Sequence, residues 1–173
     1  MKQRWALVVI GVWLMGSICV SVVATENFYT VDRLLAAPAN GPFTVMVQKL
    51  GQPAARELLR YLSSELNRLY FQMWNVAQIG LGVLALWLVA GSTEQGPARK
   101  AIIAMLAIVV LMLAYLTPQI VSLGRELDFV PRDPPPPGMS RFWALHAAYT
   151  SLEMIKLLVG AVVAFWIVRS ASR

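Results

Sequence analysis

Leu69-Tyr70-Phe71-Gln72-Met73-Trp74-Asn75-Val76-Ala77-Gln78-Ile79-Gly80-Leu81-Gly82-Val83-Leu84-Ala85-Leu86-Trp87-Leu88-Val89-Ala90 runs without a single Asp, Glu, Lys or Arg. A helix of about 20 residues crosses a hydrocarbon core of ~30 Å, so residues 69–90 read as a membrane span. Three more apolar stretches accompany it, at 5–24, 101–119 and 142–168. The first fits the same length directly. The third must borrow Thr117, Pro118 and Gln119, which a helix tolerates because a proline near its end breaks few hydrogen bonds. The fourth exceeds the requirement, and its extra length is taken up by tilt or by turns that leave the lipid. The expected fold is an all-α integral membrane protein: a single membrane domain over 1–173, built as a four-transmembrane-helix bundle.

Composition points the same way. Of 173 residues, 58% are hydrophobic and only 14% charged, with a mean hydropathy of +0.61. Soluble domains carry roughly a quarter charged residues, so this chain lacks the side chains to cover a water-facing surface, and a soluble enzyme is excluded. Fifteen Lys and Arg against nine acids would suit nucleic acid if they clustered. They are scattered, so no nucleic-acid partner is expected and the bilayer is the first partner. The lone cysteine, Cys19, lies in an apolar run and can form neither an internal disulfide nor a thiolate cluster.

Basic residues near the helix ends set the orientation. Lys2, Arg4, Arg99, Lys100, Arg169 and Arg173 fall on one side, opposed only by Glu94, whereas the basic residues of the other side are interleaved with acids. Both termini are therefore expected in the cytoplasm, as in a multi-pass protein of the inner (plasma) membrane. A cleaved leader is the competing reading of residues 1–24, given the basic start and Val22-Val23-Ala24. An apolar run of about twenty residues is longer than the ~7–15 of a leader, so the first span is expected to be retained.

Two outer loops are expected, 25–68 and 120–141. In the first, Val31, Leu34 and Leu35 ahead of Pro38-Ala39-Asn40-Gly41-Pro42 read as a short amphipathic helix ended by a turn. A second helix starts at Pro53, with Leu58, Leu59, Leu62 and Leu66 on one stripe, and no breaker separates it from the second span. This segment between spans 1 and 2 is thus expected to be ordered. The other loop holds Pro134-Pro135-Pro136-Pro137-Gly138, a stiff polyproline spacer.

The fourth span carries the candidate chemistry. At about 100° per residue, His146, Tyr149, Glu153 and Lys156 share an arc of about 80°, which Thr150 and Gly160 extend. An acid and an amine inside an apolar helix are costly and cannot face lipid cheaply. Asn75 and Gln78, with Asn67, Trp74 and Gly82, form a comparable polar face on the second span, so the candidate polar cleft is His146, Tyr149, Glu153, Lys156, Asn75 and Gln78. Glu153 and Lys156, three apart with the acid first, can pair with each other. They read either as a structural ion pair or as carriers of a proton, ion or ligand. Gly11, Gly16, Ser17, Cys19 and Ser21 read as small residues that admit close helix packing. There is no second histidine, no HExxH, no placeable Ser-His-Asp set and no phosphate loop. No enzyme activity, cofactor or metal is expected, and Met105 and Met112, seven apart, read as core.

Order and local wording resemble the membrane family called domain of unknown function 4149, the transmembrane-protein-205-like domain. The resemblance rests on Phe28-Tyr29-Thr30-Val31-Asp32-Arg33-Leu34-Leu35 after a small-residue first span, on Leu69-Tyr70-Phe71 and on Leu116-Thr117-Pro118-Gln119-Ile120. Phe142-Trp143-Ala144-Leu145-His146-Ala147-Ala148-Tyr149 adds the most specific element, its Leu-His pair. The chain departs from the family in Ser63–Leu69 and in its four-proline loop. The resemblance implies a four-helix integral membrane protein with no established reaction. Two functions follow as expectations. One is binding or conduction of a small solute, ion or proton through the cleft between spans 2 and 4. The other is a structural or assembly role, with a second copy or another membrane protein as partner.

Overall fold

The computed structural model describes residues 1–38, 40–91 and 95–171. Within them the chain forms α1 (Lys2–Ala36), α2 (Gly41–Leu50), α3 (Gln52–Val89), α4 (Gly96–Leu111), a π-helical turn (Met112–Leu116), α5 (Thr117–Glu126) and α6 (Met139–Ala171). No strand occurs among the described residues. Ala39, Glu94 and Arg173, named above in the turn and in the charge count, lie outside them.

Four helical stretches are long and apolar enough to cross a membrane: Lys2–Ala36, Gln52–Val89, Gly96–Glu126 and Met139–Ser170. They alternate in direction and form a four-cornered ring, α1 packing on α3 and α6, and α4 on α3 and α6. At one end Lys2 lies over the Trp87 ring, 5.1 Å from its centre, and Gln95 donates to Ser170 at 2.8 Å. That end gathers Lys2, Arg4, Arg99, Lys100 and Arg169. At the other end Asn27 donates to Asn67 at 2.7 Å, Asn67 to the Ala24 carbonyl at 2.8 Å, and Arg56 to Asp32 at 2.9 Å.

The outer segments depart from the sequence reading. Residues 25–36 are not a separate amphipathic helix; they continue α1 without a break, because nothing before Pro38 interrupts its hydrogen bonds. Residues 41–50 form a helix that the sequence reading missed. Asn40 caps it by accepting from the Phe43 amide at 2.8 Å, and Pro42 sits in its first turn. None of its residues is buried. Gly51 joins it to α3 at φ +82, a value that suits glycine. The long helix read from Pro53 to Ala90 is present as α3.

The third stretch does not stop at Gln119 but continues to Glu126. Its π-turn immediately precedes Pro118, and the Thr117 amide reaches back five residues to the Met112 carbonyl. Proline offers no N–H and its ring crowds the carbonyl four residues earlier; the widened turn relieves that crowding. The expected loop 120–141 is consequently irregular only over 127–138.

Packing divides into an inner apolar core and an outer cluster. The core joins Ile10 and Trp13 of α1, Ala85 and Val89 of α3, Ile102, Met105 and Val109 of α4, and Val163 and Ile167 of α6. Met112, Leu116 and Tyr149 form the outer cluster with Phe71, Ile120 and Leu145 around them. Met105 and Met112 are both fully buried, as core side chains should be. Of the small residues of α1, Gly16 serves close approach: a Cβ there would fall 2.1 Å from the Trp74 ring, whose Nε1 donates to Ser17. Gly11 and Cys19 do not, for both are exposed.

Candidate functional site

A hydrogen-bonded chain of buried polar side chains links the inner core to the outer cluster. Its centre is Gln78 on α3, whose Oε1 accepts from Trp13 Nε1 of α1 at 2.8 Å and from Lys156 Nζ of α6. Lys156 Nζ also donates to Glu153 Oε2 at 2.6 Å. Gln78 Nε2 donates to Asn75 Oδ1 at 3.2 Å, and the same oxygen accepts from Tyr149 OH at 3.1 Å. Asn75 Nδ2 then donates to Thr117 Oγ1 at 2.9 Å. All four corners of the bundle meet in this one network.

Its placement follows from local sequence. The buried stripe of α6 runs through Tyr149, Glu153, Lys156, Gly160, Val163 and Ile167 at alternating steps of four and three, the spacing of one helix face. Asn75, Gln78, Gly82, Ala85 and Val89 make the answering stripe on α3. Gly160 receives Leu14 of α1, with a Cβ position only 2.5 Å from that side chain. On the third stretch, the π-turn brings Thr117 to the interior.

Five of the six expected site residues, Tyr149, Glu153, Lys156, Asn75 and Gln78, are joined in the network. His146 is not. It is exposed and lies among aromatic rings, its ring centre 6.0 Å from those of Phe142 and Trp143. The reason is helical phase: one turn before Tyr149 the buried stripe continues through Leu145, which packs on the outer cluster. Thr150 is likewise exposed and spends its hydroxyl on the His146 carbonyl at 3.0 Å. Trp13 and Thr117 were missed. Trp13 carried a signal, because a tryptophan in mid-span has an N–H that needs a partner. Thr117 carried none, since a regular helix would turn it elsewhere.

Lys156 is fully buried, and Glu153 keeps 11% of its side chain exposed. A buried charge without a partner costs several kcal/mol. Here the ammonium has a carboxylate and an amide oxygen, and the amide itself is satisfied by Trp13 and Asn75. Among the described residues no three His, Cys, Asp or Glu side chains gather as a metal set. Chemically the arrangement can hold a charge pair and orient donors along one line of contact.

A second polar cluster ties the middle of α3 to the C-terminal end of α5 and to Asp128 just after it. Arg68 bridges Glu65 and Asp128, at 2.5 and 2.8 Å, and Arg125 grips both oxygens of Glu65 at 3.2 and 3.1 Å. The Arg125 hydrogen bond, followed by that of Arg68, holds the Glu65 carboxyl below its ordinary 4.5. A lowered folded value means that the contribution is whole above the unfolded value and is lost as pH falls through the folded one. Amide protection over residues 120–126 is therefore expected to be equal at pH 7 and 5.5 and to fall progressively as the pH is taken below 4.5. Hydrogen exchange, read as protection factors, checks this. Glu65→Gln should show the lowered protection already at pH 7.

No family model matches the chain, and no curated protein or solved structure matches it.

Proposed function

We propose that this is a non-enzymatic, multi-pass membrane protein whose four apolar helices form a locked bundle serving a structural or assembly role. The spans are α1 over 5–24, α3 over 69–90, the third stretch from 101 and α6 over 142–168, with both termini on the cytoplasmic side of the inner (plasma) membrane. Outside the lipid, α1 and α3 project as a paired stalk carrying α2.

One observation carries the reading: Lys156, the most costly residue to place in lipid, spends its hydrogen bonds inside the protein, on Glu153 and Gln78. A site built for a passing solute would keep such donors for it. The remaining exposure of the Glu153 carboxylate favours one rival, a polar cleft between spans 2 and 4 that binds or conducts a small ion or proton.

Thiol accessibility separates the two. In a Cys19→Ser background, Tyr149→Cys in intact membrane vesicles of known sidedness should resist a membrane-impermeant maleimide from either face, while Tyr29→Cys on the exposed stalk reacts from the outer face. Reaction at position 149 in the folded protein would overturn the locked bundle in favour of the cleft. Reaction of position 29 from the cytoplasmic face would reverse the topology.

A further inference from the structure

At the inner end of the bundle Gln95 is 2% exposed, and its Oε1 is the one buried side-chain polar atom among the described residues that has no hydrogen-bond partner. Nε2 of the same amide donates to the Ser170 hydroxyl at 2.8 Å, and Ser170 donates in turn to the Ile167 carbonyl at 3.0 Å. With its only hydrogen on Ile167, Ser170 can accept from Gln95 but not donate to it. The amide is thereby fixed with its carbonyl oxygen unpaired, and a buried acceptor in that state is costly.

Gln95 lines a hollow of about 370 Å³, shared with Lys2 and Gln3 at the start of α1, Leu88 at the end of α3 and Gly91 just after it. One water takes about 30 Å³, so the space is roughly ten times what a single water on Oε1 requires. It falls within the ~300–1,000 Å³ of small-ligand sites. Its depth is that of lipid headgroups. Leu88 lies in the last turn of the second span, and Trp87 and Trp5, 61% and 59% exposed, stand where tryptophans mark the membrane interface.

Charge narrows the occupant. Lys2 holds its ammonium over the Trp87 ring and forms no ion pair among the described residues. Arg99 falls in the first turn of α4 and Lys100 just after it, in a helix with no acid there and no side-chain cap, at the end where the peptide dipole already favours an anion. The described residues of this end include no Asp or Glu. A fitting ligand brings a negative charge for Lys2, a donor for Gln95 Oε1, and acyl chains for the lipid beside Trp87. An ammonium headgroup has the donor but sets another cation against Lys2. A hydroxyl-bearing headgroup on a phosphodiester meets all three demands.

We infer that this hollow binds an anionic phospholipid of the cytoplasmic leaflet, its phosphate beside Lys2 and a headgroup hydroxyl donating to Gln95 Oε1. Basic pockets between spans on the cytoplasmic side are a general means of holding such headgroups. The inference rests on the membrane reading above but not on the locked network: thiol reaction at position 149 can fail that reading and leave this one standing.

Native mass spectrometry of the full chain in neutral detergent, titrated with single lipids, tests it. Phosphatidylglycerol should bind at one lipid per chain, about tenfold more tightly than phosphatidylethanol, which has the same charge but no hydroxyl. Gln95→Leu should remove that preference while leaving phosphatidylethanol bound as before, which also shows that the variant is folded. Lys2→Gln, at an exposed position, should weaken both lipids about fivefold. Lys100→Gln makes the same change in net charge outside the hollow and should alter either affinity by less than about twofold. The inference is overturned by equal affinity of the unaltered chain for the two lipids, by equal effects of Lys2→Gln and Lys100→Gln, or by displacement of the lipid by free glycerol phosphate, which would make the occupant a soluble ligand.

Discussion

Lys156→Met alone should destabilise the purified protein by about 3–5 kcal/mol, and adding Glu153→Gln to it should restore most of the loss. The single change leaves the Glu153 carboxylate in the bundle with no cation, while Gln78 Oε1 retains only Trp13 as donor. Glu153→Gln alone strands the ammonium instead. Made together, the two changes leave a neutral amide beside an unbranched apolar chain of similar volume, and the charge penalty disappears. Thermal unfolding of the four proteins at pH 7 forms a double-mutant cycle. Strictly additive losses would mean that the two charges do not serve each other, and the locked bundle would lose its main support.

Trp13→Ala should cost about 3–5 kcal/mol, whereas Trp13→Phe should cost about 1 kcal/mol. Trp13 is fully buried, and it packs in the inner core while its ring meets Gly82, where a Cβ would stand 2.8 Å away. Alanine empties that space. Phenylalanine fills much of it and removes only the N–H, and Gln78 Oε1 still has Lys156 as donor. Urea or thermal unfolding of both variants gives the comparison. Equal losses from the two substitutions would show that the hydrogen bond, rather than the volume, is what Trp13 supplies.

Much of this architecture was legible because lipid-length apolar runs and the single-face spacing of Asn75, Gln78, Tyr149, Glu153 and Lys156 are properties of the chain itself. The network's outer limit was less so. Leu145 and His146 stand about 40° and 60° to opposite sides of the Tyr149 line, and which of them turns inward depends on the packing around Met112 and Leu116. Residues 25–36 were misread because an apolar span and an amphipathic continuation look like two elements in composition, yet share one unbroken set of backbone hydrogen bonds. Helix α2 did carry signals, Asn40 and Pro42 at its start and an apolar stripe at Phe43, Met46, Val47 and Leu50; at ten residues and next to Pro38 and Gly41, it reads as part of the turn. The approach of Trp13 to Gln78 is a contact between segments 65 residues apart, and no local pattern specifies which amide a buried indole will find.

The π-turn at Met112–Leu116 has a consequence for how the third stretch is counted. At about 100° per residue, the inward positions Ala98, Ile102, Met105 and Val109 fall within roughly 60° of one another. Continued as a plain α-helix, Thr117 and Gly124 would lie about 80–100° off that line, yet both are buried. Absorbing one residue in the wider turn sets them back onto it. The turn thus acts as a vernier between two lengths of helix whose spacings were never commensurate. Shortening this stretch by one residue while replacing Pro118 would leave a straight helix with the same inward line, and a second deletion would rotate Thr117 away from Asn75 with no slack left to take it up.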